Sequence, residues 1–236
     1  NIKLNHKVNK IDLKDKKIFF DNGKQHLYER LICTLPLPEL IGVISNVPLE
    51  IKEAANLLSC SSLLLINITA NHKPLKPYHW MYVYDKDKIS TRINHVNLLS
   101  PNNAPAGKTG VQVEVYSSSY RPFKLSPDKI SKVVIEELKD MELIKSPETV
   151  HTHYVPYANV IFDHRRKEAQ NKIFSWLEQY GLEREDDDLE PITDWSQKKS
   201  INIGQLGLAG RFAQWKYYWS DDCVMRGKLL SENIQL

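Results

Sequence analysis

One stretch near the carboxyl end combines residue types that could bind an anion. Residues 203–227 begin with alternating apolar positions, pass through Gly210 and Arg211, and cross an aromatic-rich turn before a helix start at residues 220–222. Glycine lets a ligand approach the backbone, a first helical turn offers free N–H groups, and arginine adds a planar fork of donors. The stretch therefore predicts an anion site. The alternative is a strand, loop and helix that close a core, with the aromatic residues as ordinary packing.

Composition limits the classes of function open to the chain. Its 236 residues are 42% hydrophobic and 26% charged, which is ordinary for a globular protein with a proper core. A net charge of +3, with bases scattered among nearly as many acids, argues against nucleic-acid binding. No apolar run approaches the roughly 20 residues of a membrane-spanning helix. The three cysteines form no CxxC pair, which disfavours a disulfide framework or zinc site and favours a cytoplasmic location.

The amino-terminal part predicts a small β unit followed by two short helices. Alternating apolar residues lead to Asn22-Gly23, a pair typical of a type I′ hairpin turn because both central positions of that turn need positive φ. The continuous apolar run at residues 31–33 predicts a strand buried on both faces. Helices are expected near residues 38–40 and 49–58, the second with its apolar residues on one face.

The middle of the chain, residues 61–181, predicts an antiparallel sheet with two helices. Four strand-like segments follow one another with short links, which indicates a meander rather than βαβ units. Ser126, followed by proline, marks a helix start with serine as the N-cap. A further strand bends at Pro156, and a second amphipathic helix over residues 165–180 ends before Gly181, a favourable C′ residue.

Together these patterns predict an α/β (α+β) chain with an inserted domain. Residues 1–58 and 200–236 form one layer, residues 61–181 form an antiparallel-sheet domain, and the charged residues 183–200 form a surface excursion. The chain begins in mid-pattern without a methionine, so we expect it to be a piece of a longer protein.

Three segments carry a resemblance to flavin-dependent amine-oxidase-like proteins. They are VNKIDLKDKKIFFDNGKQHLYERLICTLPLPEL (residues 8–40), HYVPYANVIFDHRRKEAQNKIFSWLEQYGL (153–182) and LGLAGRFAQWKYYWSDDCVMRGKLL (206–230). The last resembles the flavin-binding motif of the branch that includes UDP-galactopyranose mutase, in which Gly-Arg-(Tyr/Phe) precedes an aromatic turn and a helix. The resemblance implies FAD and a partial FAD-binding domain of the glutathione-reductase-like type, with an inserted substrate domain of antiparallel sheet and helices.

The sequence departs from this family at one large element. The family holds the ADP half of FAD with a G-x-G-x-x-G turn and an acidic residue, and this sequence contains no such element. The nearest string, from Gly204 to Gly207, has the wrong spacing and the wrong place. Either the missing part lies outside the sequence, or the protein is a degenerate relative; we expect the first.

The resemblance implies cofactor-binding residues, which are Val8, Gly210, Arg211, Phe212, Asp222 and Cys223. Gly210 and Arg211 would lie against the pyrophosphate or ribityl chain. The amides of Asp222 and Cys223 would face the N1/O2 edge of the flavin, where a helix N-terminus stabilises the anionic reduced ring. The backbone of Val8 would reach the adenine, and a plain strand valine is the alternative.

The resemblance also implies substrate-side residues, which are Tyr154, Tyr157, Trp215 and Tyr217. Tyrosines on the substrate side bind diphosphate in the sugar-nucleotide branch, and aromatic residues after the glycine would wall the flavin or the substrate. Buried packing is the alternative for these side chains. His151 and His153 share a strand face, but no third ligand is near in sequence, so we expect exposed histidines and no metal site. No residue is identified as catalytic.

The resemblance implies the carboxyl-terminal portion of an FAD-dependent oxidoreductase or of a sugar-nucleotide isomerase, inactive as an isolated piece. The substrate would be a small molecule, with a nucleotide sugar as one candidate, and a homo-oligomer is left open. The alternative is a non-catalytic binding module that has kept a flavoprotein-like scaffold and lost the cofactor. The residues do not decide between oxidase and isomerase chemistry.

Overall fold

The computed structural model describes residues 1–198, 201 and 203–234. In chain order, the elements are β1 (Val8–Asp12), β2 (Lys17–Phe20), β3 (Gln25–Leu27), β4 (Leu31–Cys33), α1 (Leu37–Val43), α2 (Leu49–Leu57), β5 (Cys60–Ala70), β6 (Trp80–Tyr82), β7 (Arg92–His95), α3 (Val96–Leu99), a 3-10 turn (Pro101–Asn103), β8 (Thr109–Ser118), α4 (Pro127–Asp140), β9 (Thr149–Val160), α5 (Arg166–Glu178), β10 (Leu206–Leu208) and α6 (Ser220–Asn233). Within these residues, no helix combines the length and the apolar character that crossing a bilayer requires.

The chain divides into two compact units. Unit 1 comprises Asn1–Ser59 and Val160–Leu236, and unit 2 comprises Cys60–Asn159. The second boundary lies earlier than residue 181, where the sequence predicts it. The reason is α5, which was assigned to the middle sheet but packs against α2 within unit 1. The predicted boundary at residue 200 lies outside the described residues.

Unit 1 holds two small sheets. In the first, β1, β2 and β3 are antiparallel in that order, and in the second, β10 pairs parallel with β4. Leu206 lies opposite Leu31 and Leu208 lies opposite Cys33, and every residue of β10 is buried. Parallel neighbours end at the same edge of a sheet, so the segments that follow Cys33 and Leu208 start side by side.

The hairpin between β2 and β3 turns at the predicted place but with a different turn type. Gly23 has φ +79°, and no other residue of the turn has positive φ in this part of the described chain. Gly23 N donates to Phe20 O (3.0 Å), and Phe20 N donates to Lys24 O (2.9 Å). These bonds fit a type I turn followed by a glycine bulge, not the type I′ turn that the Asn-Gly pair predicts.

Unit 2 is built on a five-stranded sheet with the order β6-β7-β8-β5-β9. The strands β6, β7 and β8 form the predicted meander, but β5 pairs antiparallel with β8 along its length. β9 lies on the other side of β5, where Glu148 N donates to Thr69 O and Asn159 N donates to Ser61 Oγ. The predicted order is therefore wrong at β5, because a long-range pairing replaces the pairing with its neighbour in sequence.

The faces of the unit 2 sheet differ in character. Ile130, Val134 and Leu138 of α4 are buried against the apolar face of the sheet, and burial of each such side chain stabilises the fold by about 1.5–3 kcal/mol. Cross-strand partners share a face, so Tyr82, Arg92 and Glu114 lie in one row on the opposite face. That face is polar and aromatic.

The charged segment before β10, predicted as a surface excursion, is partly exposed and partly buried in the described residues. Asp188 and Thr193 are buried, and the Glu185 side chain is 8% exposed. Three acids of this segment, Glu185, Asp187 and Asp188, pair with lysine and arginine side chains of unit 1. Residues 199 and 200 of the predicted excursion lie outside the described residues.

Candidate functional site

The chain leaves β10 through a turn whose backbone is open to approach. Ala209 N donates to Cys33 O (3.0 Å), so the turn starts at the end of the parallel pair. Gly210 has φ +102°, and no atom lies within 4 Å of the position that a Cβ would take. Positive φ favours glycine at this position, and the open space lets another molecule reach the backbone.

Arg211 closes the turn that follows. Its Nε donates to Tyr218 O (2.5 Å), and its guanidinium carbon lies 5.5 Å from the centroid of the Tyr217 ring. Phe212 is anchored through its carbonyl oxygen, which accepts a hydrogen bond from Leu37 N (2.9 Å). All three of Arg211, Phe212 and Tyr217 are half-buried. The structure thus groups a cation and an aromatic ring beside Gly210.

Helix α6 starts shortly after this turn. Asp222 Oδ2 accepts from Trp219 N (2.7 Å) and Asp222 Oδ1 accepts from Trp195 Nε1 (2.8 Å), so this carboxylate holds the helix start in place. Cys223 N donates to Trp219 O (3.1 Å) within the helix. The Cys223 amide is therefore occupied, unlike the expectation from the resemblance, and the first-turn donors are the amides of residues 220–222.

Trp215 does not lie on a ligand-facing surface. Its side chain is 0% exposed, and its ring packs edge-on against Phe212 at 6.0 Å between centroids. Its backbone has φ +53°, which is uncommon for a bulky residue, and its carbonyl accepts from Arg166 Nη1 (3.3 Å). The structure therefore corrects the expected substrate role of Trp215, since the residue forms part of the core under the turn.

Val8 lies on the other sheet of unit 1. It is the first residue of β1, it is half-buried, and it pairs with Phe20 next to a bulge. The structure therefore places Val8 on a different sheet from β10, the strand that leads to Gly210.

The two predicted tyrosines of β9 face opposite sides of the strand. Tyr154 is 53% exposed and Tyr157 is half-buried, and an odd spacing of three puts them on opposite faces. Asn159, two residues after Tyr157, hydrogen-bonds to the Tyr116 side chain. Tyr157 therefore shares a face with Tyr116. His151 is exposed, and the described part of the chain contains no group of three side chains suited to hold a metal.

The sequence analysis missed a polar cluster on this face of unit 2. Arg92 Nη2 donates to Glu114 Oε1, and Tyr116 OH donates to Glu114 Oε2 (2.7 Å). Glu114 is 6% exposed. Burial and the hydrogen bond to Glu114 raise the pKa of Tyr116 to about 12, so the phenol stays protonated and donates. A charged residue within each of two strand-like segments was the available signal.

An exposed aromatic ladder flanks the cluster at the sheet edge. The guanidinium carbon of Arg92 lies 4.5 Å from the centroid of Trp80, and Trp80, Tyr82 and Tyr84 follow one another at 6.2 and 6.3 Å between centroids. All three rings are exposed. Aromatic faces attract cations and stack with planar rings, so this surface suits a ligand that has both a planar ring and an anionic group.

Buried ion pairs tie the charged segment to the aromatic turn of unit 1. Lys216 is 1% exposed, and its Nζ donates to Asp187 Oδ2 (2.8 Å) and to Thr193 Oγ1 (2.7 Å). Burial lowers the pKa of Lys216. Burial opposes the charge of Asp187 as well, but hydrogen bonds from Lys198 and Lys216 hold its pKa well below the ordinary 3.8.

The same network reaches the end of β10. Lys198 contacts Glu185, and Arg226 Nη1 donates to Glu185 Oε1 (2.5 Å). Arg226 Nη2 donates to Leu208 O (3.0 Å), two residues before Gly210. The ion pairs therefore fix the strand end from which the open turn departs.

Acid is expected to weaken unit 1 through Asp187. Because its folded pKa is depressed, the carboxylate contributes stability that is fully present above its unfolded value and is lost as the pH falls below about 4 toward the folded pKa. Urea unfolding from pH 6 to pH 3, followed by tryptophan fluorescence, measures this loss. In Asp187→Asn the loss between these pH values is expected to be smaller.

Asp188→Asn is the matched comparison for this prediction. Burial raises the pKa of Asp188, so its ionisation costs stability at neutral pH and protonation relieves that cost as the pH falls. Asp188→Asn should therefore steepen the acid loss, the opposite sign to Asp187→Asn. Equal slopes in both variants would contradict the assignment.

Comparison with known proteins gives this architecture a family. The sequence profile of the flavin containing amine oxidoreductases matches residues 1–199. The structure of reduced UDP-galactopyranose mutase is similar with a TM-score of 0.73 and 20% identity, over 90% of this chain and 42% of that one. The structure of a CLA-producing fatty acid isomerase from P. acnes is similar with a TM-score of 0.62 and 9% identity, over 98% of this chain and 48% of that one. Among curated proteins none matches the sequence.

The structural likenesses establish the fold, and the family match establishes the cofactor class. The chain spans less than half the length of the two structures, so it corresponds to a part of each. The fold is that of the α/β FAD-type oxidoreductases, and the family implies FAD in the intact protein. The chain belongs to the flavin containing amine oxidoreductase family.

Proposed function

We propose that this chain is the carboxyl-terminal portion of an FAD-dependent oxidoreductase or sugar-nucleotide isomerase. In this proposal the dinucleotide-binding unit comes from polypeptide outside the present sequence. The observation that carries the proposal is Gly210, with φ +102° and open space beside it, followed directly by Arg211 at the end of a buried parallel strand. A turn of this kind admits an anionic cofactor to the backbone.

The residues present fit the part of FAD near the ring. Gly210 would let the ribityl or pyrophosphate part approach the main chain, and the half-buried Arg211 would supply positive charge. The first-turn amides of α6 would stabilise negative charge at the N1/O2 edge, as a helix N-terminus does. The flavin, when bound, supplies the electron chemistry. The ion pairs behind Leu208 O would hold this wall in a fixed position.

The substrate would meet the polar face of the unit 2 sheet. Arg92, backed by Glu114 and stacked on Trp80, is suited to an anionic group, and Tyr157 lies on the same face. A nucleotide sugar has the required planar ring and diphosphate. We therefore propose a nucleotide sugar as the substrate, and UDP-galactopyranose is the first compound to test because the mutase neighbour is named for it.

The direct test is a visible spectrum of the protein expressed with the coding region upstream of Asn1. The purified protein is expected to show the absorption bands of oxidised flavin. Arg211→Met is expected to reduce the flavin retained, because it removes the cation beside Gly210. Arg30→Met, which removes an exposed arginine of the same unit, is the control and should retain flavin. A protein without flavin bands would overturn the proposal and favour the non-catalytic binding module.

Turnover separates the two reaction classes. Conversion of UDP-galactopyranose by the reduced protein, without net oxidation, supports the isomerase. Substrate-dependent bleaching of the oxidised flavin supports the oxidoreductase. If a flavin-loaded protein shows neither of these activities, the proposed substrate is overturned.

A further inference from the structure

Glu114 is shared between two partners on the open face of the unit 2 sheet. One of its carboxylate oxygens accepts from Arg92 Nη2, and the other accepts from Tyr116 OH at 2.7 Å. Arginine and a carboxylate usually pair through two parallel hydrogen bonds. Here the phenol bonds to the second oxygen and so orients the carboxylate, and Glu114 accepts from Arg92 through the first oxygen.

Tyr116 is fixed from a second side. Tyr116 lies within β8, which fixes its backbone, and the Asn159 side chain on β9 hydrogen-bonds to its phenol. Tyr116 thus has a defined place between β9 and Glu114, and it contacts Arg92 only through Glu114. Its hydroxyl therefore controls how Glu114 meets the arginine.

Part of the Arg92 guanidinium stays open to a ligand, although the Tyr82 side chain also hydrogen-bonds to it. A guanidinium has five N–H donors, and the side chain of Arg92 is 27% exposed while that of Glu114 is 8% exposed. Trp80 lies against the guanidinium with the ring centroid 4.5 Å from its central carbon, which orients the planar fork. A second bond from Glu114 would consume a donor and turn this fork toward the sheet.

We propose that Tyr116 is a positioning residue that keeps Glu114 on Arg92 through one oxygen, so that Arg92 presents its free edge to an anionic group of the substrate. The inference rests on the proposed function, because the anion is taken to be part of the substrate. Tyr116→Phe removes the bond that orients the carboxylate, so that both oxygens of Glu114 can turn to Arg92. The bidentate pair that forms should then compete with the ligand.

The experiment measures binding of inorganic pyrophosphate and of UDP to the full chain by calorimetry. Tyr116→Phe is expected to bind both about tenfold more weakly than the unaltered chain, a change of about 1.4 kcal/mol. Tyr180→Phe, which removes a hydroxyl in unit 1, is the control and should bind equally. Circular dichroism checks that each variant is folded.

The Glu114→Gln background separates positioning from a merely structural role. Whatever Glu114→Gln does alone, adding Tyr116→Phe to it should change affinity by less than about twofold, because the charged partner that the phenol restrains is gone. A tenfold loss in both backgrounds would show that Tyr116 acts by supporting the fold, and would overturn the inference.

Nitrogen NMR of the Arg92 side chain gives a second readout that needs no ligand. Tyr116→Phe is expected to slow rotation of the guanidinium and to shift its Nη signals, as a bidentate pair requires. Unchanged signals, or equal binding by Tyr116→Phe, overturn the positioning role alone. If the unaltered chain binds neither pyrophosphate nor UDP, the proposed anionic substrate fails, and the inference fails with it.

Discussion

Arg226→Met is expected to lower the free energy of unfolding of unit 1 by about 3 kcal/mol, because breaking a buried ion pair leaves an uncompensated charge. Arg226 is 4% exposed and joins Glu185 Oε1 (2.5 Å) to Leu208 O (3.0 Å). Methionine fills much of the space but offers no donor. Glu185 keeps its contact with Lys198, which places the expected loss at the lower end of the range for such pairs.

Urea unfolding followed by tryptophan fluorescence reports mainly on unit 1, which contains Trp176, Trp195, Trp215 and Trp219 of the chain's five tryptophans. Lys228→Met is the matched control on the same helix. Its side chain is 60% exposed and its nearest acid lies at 3.8 Å, so the expected change is below about 0.5 kcal/mol. If the two variants unfold at the same urea concentration, the buried network does not stabilise the strand end as argued here.

The network also explains why composition misled the sequence analysis in this region. Residues 183–198 are rich in acids, and a charged run is usually solvated. Their partners, Lys216 and Arg226, lie in the aromatic turn and in α6. Burial of charges depends on pairing between segments that sequence periodicity treats separately. The segment was therefore assigned to solvent although part of it is buried.

Local signals predicted the elements well and long-range pairing poorly. The stop at Gly181 and the hairpin at Gly23 depend on single glycines, and both have positive φ in the structure. The pairing partner of β5 is β8, which begins about 40 residues after β5 ends, so no local pattern indicates it. The same limit applies to the cluster of Arg92 and Glu114, which only the sheet register brings together.

One side chain and one amide of the predicted site differ from the expectation. A single stretch of sequence supplies Gly210, Arg211 and Tyr217, so their proximity followed from chain connectivity. Burial of Trp215 depends on packing under the turn, which no local pattern reveals. The Cys223 amide is bonded to Trp219 O because the helix begins at Ser220, which makes Cys223 the first residue whose amide has an acceptor within the helix.

Gly181→Ala is expected to lower the free energy of unfolding of unit 1 by about 3 kcal/mol, from backbone strain and overpacking together. Gly181 ends α5 with φ +86°, and a Cβ there would lie 2.8 Å from the Cβ of Gln205. Its carbonyl accepts from Leu206 N (3.1 Å), so the clash would displace β10. Urea unfolding by tryptophan fluorescence measures the change.

Gly23→Ala separates the two causes. Gly23 has nearly the same φ, +79°, but no atom within 4 Å of its absent Cβ, so only the strain of about 1–2 kcal/mol remains. The clash at Gly181 should therefore appear as the excess of Gly181→Ala over Gly23→Ala. Equal losses would mean that Gln205 yields freely and that the approach of α5 to β10 is loose. An excess means that the end of α5 sets the position of β10, and through it the position of the open turn at Gly210.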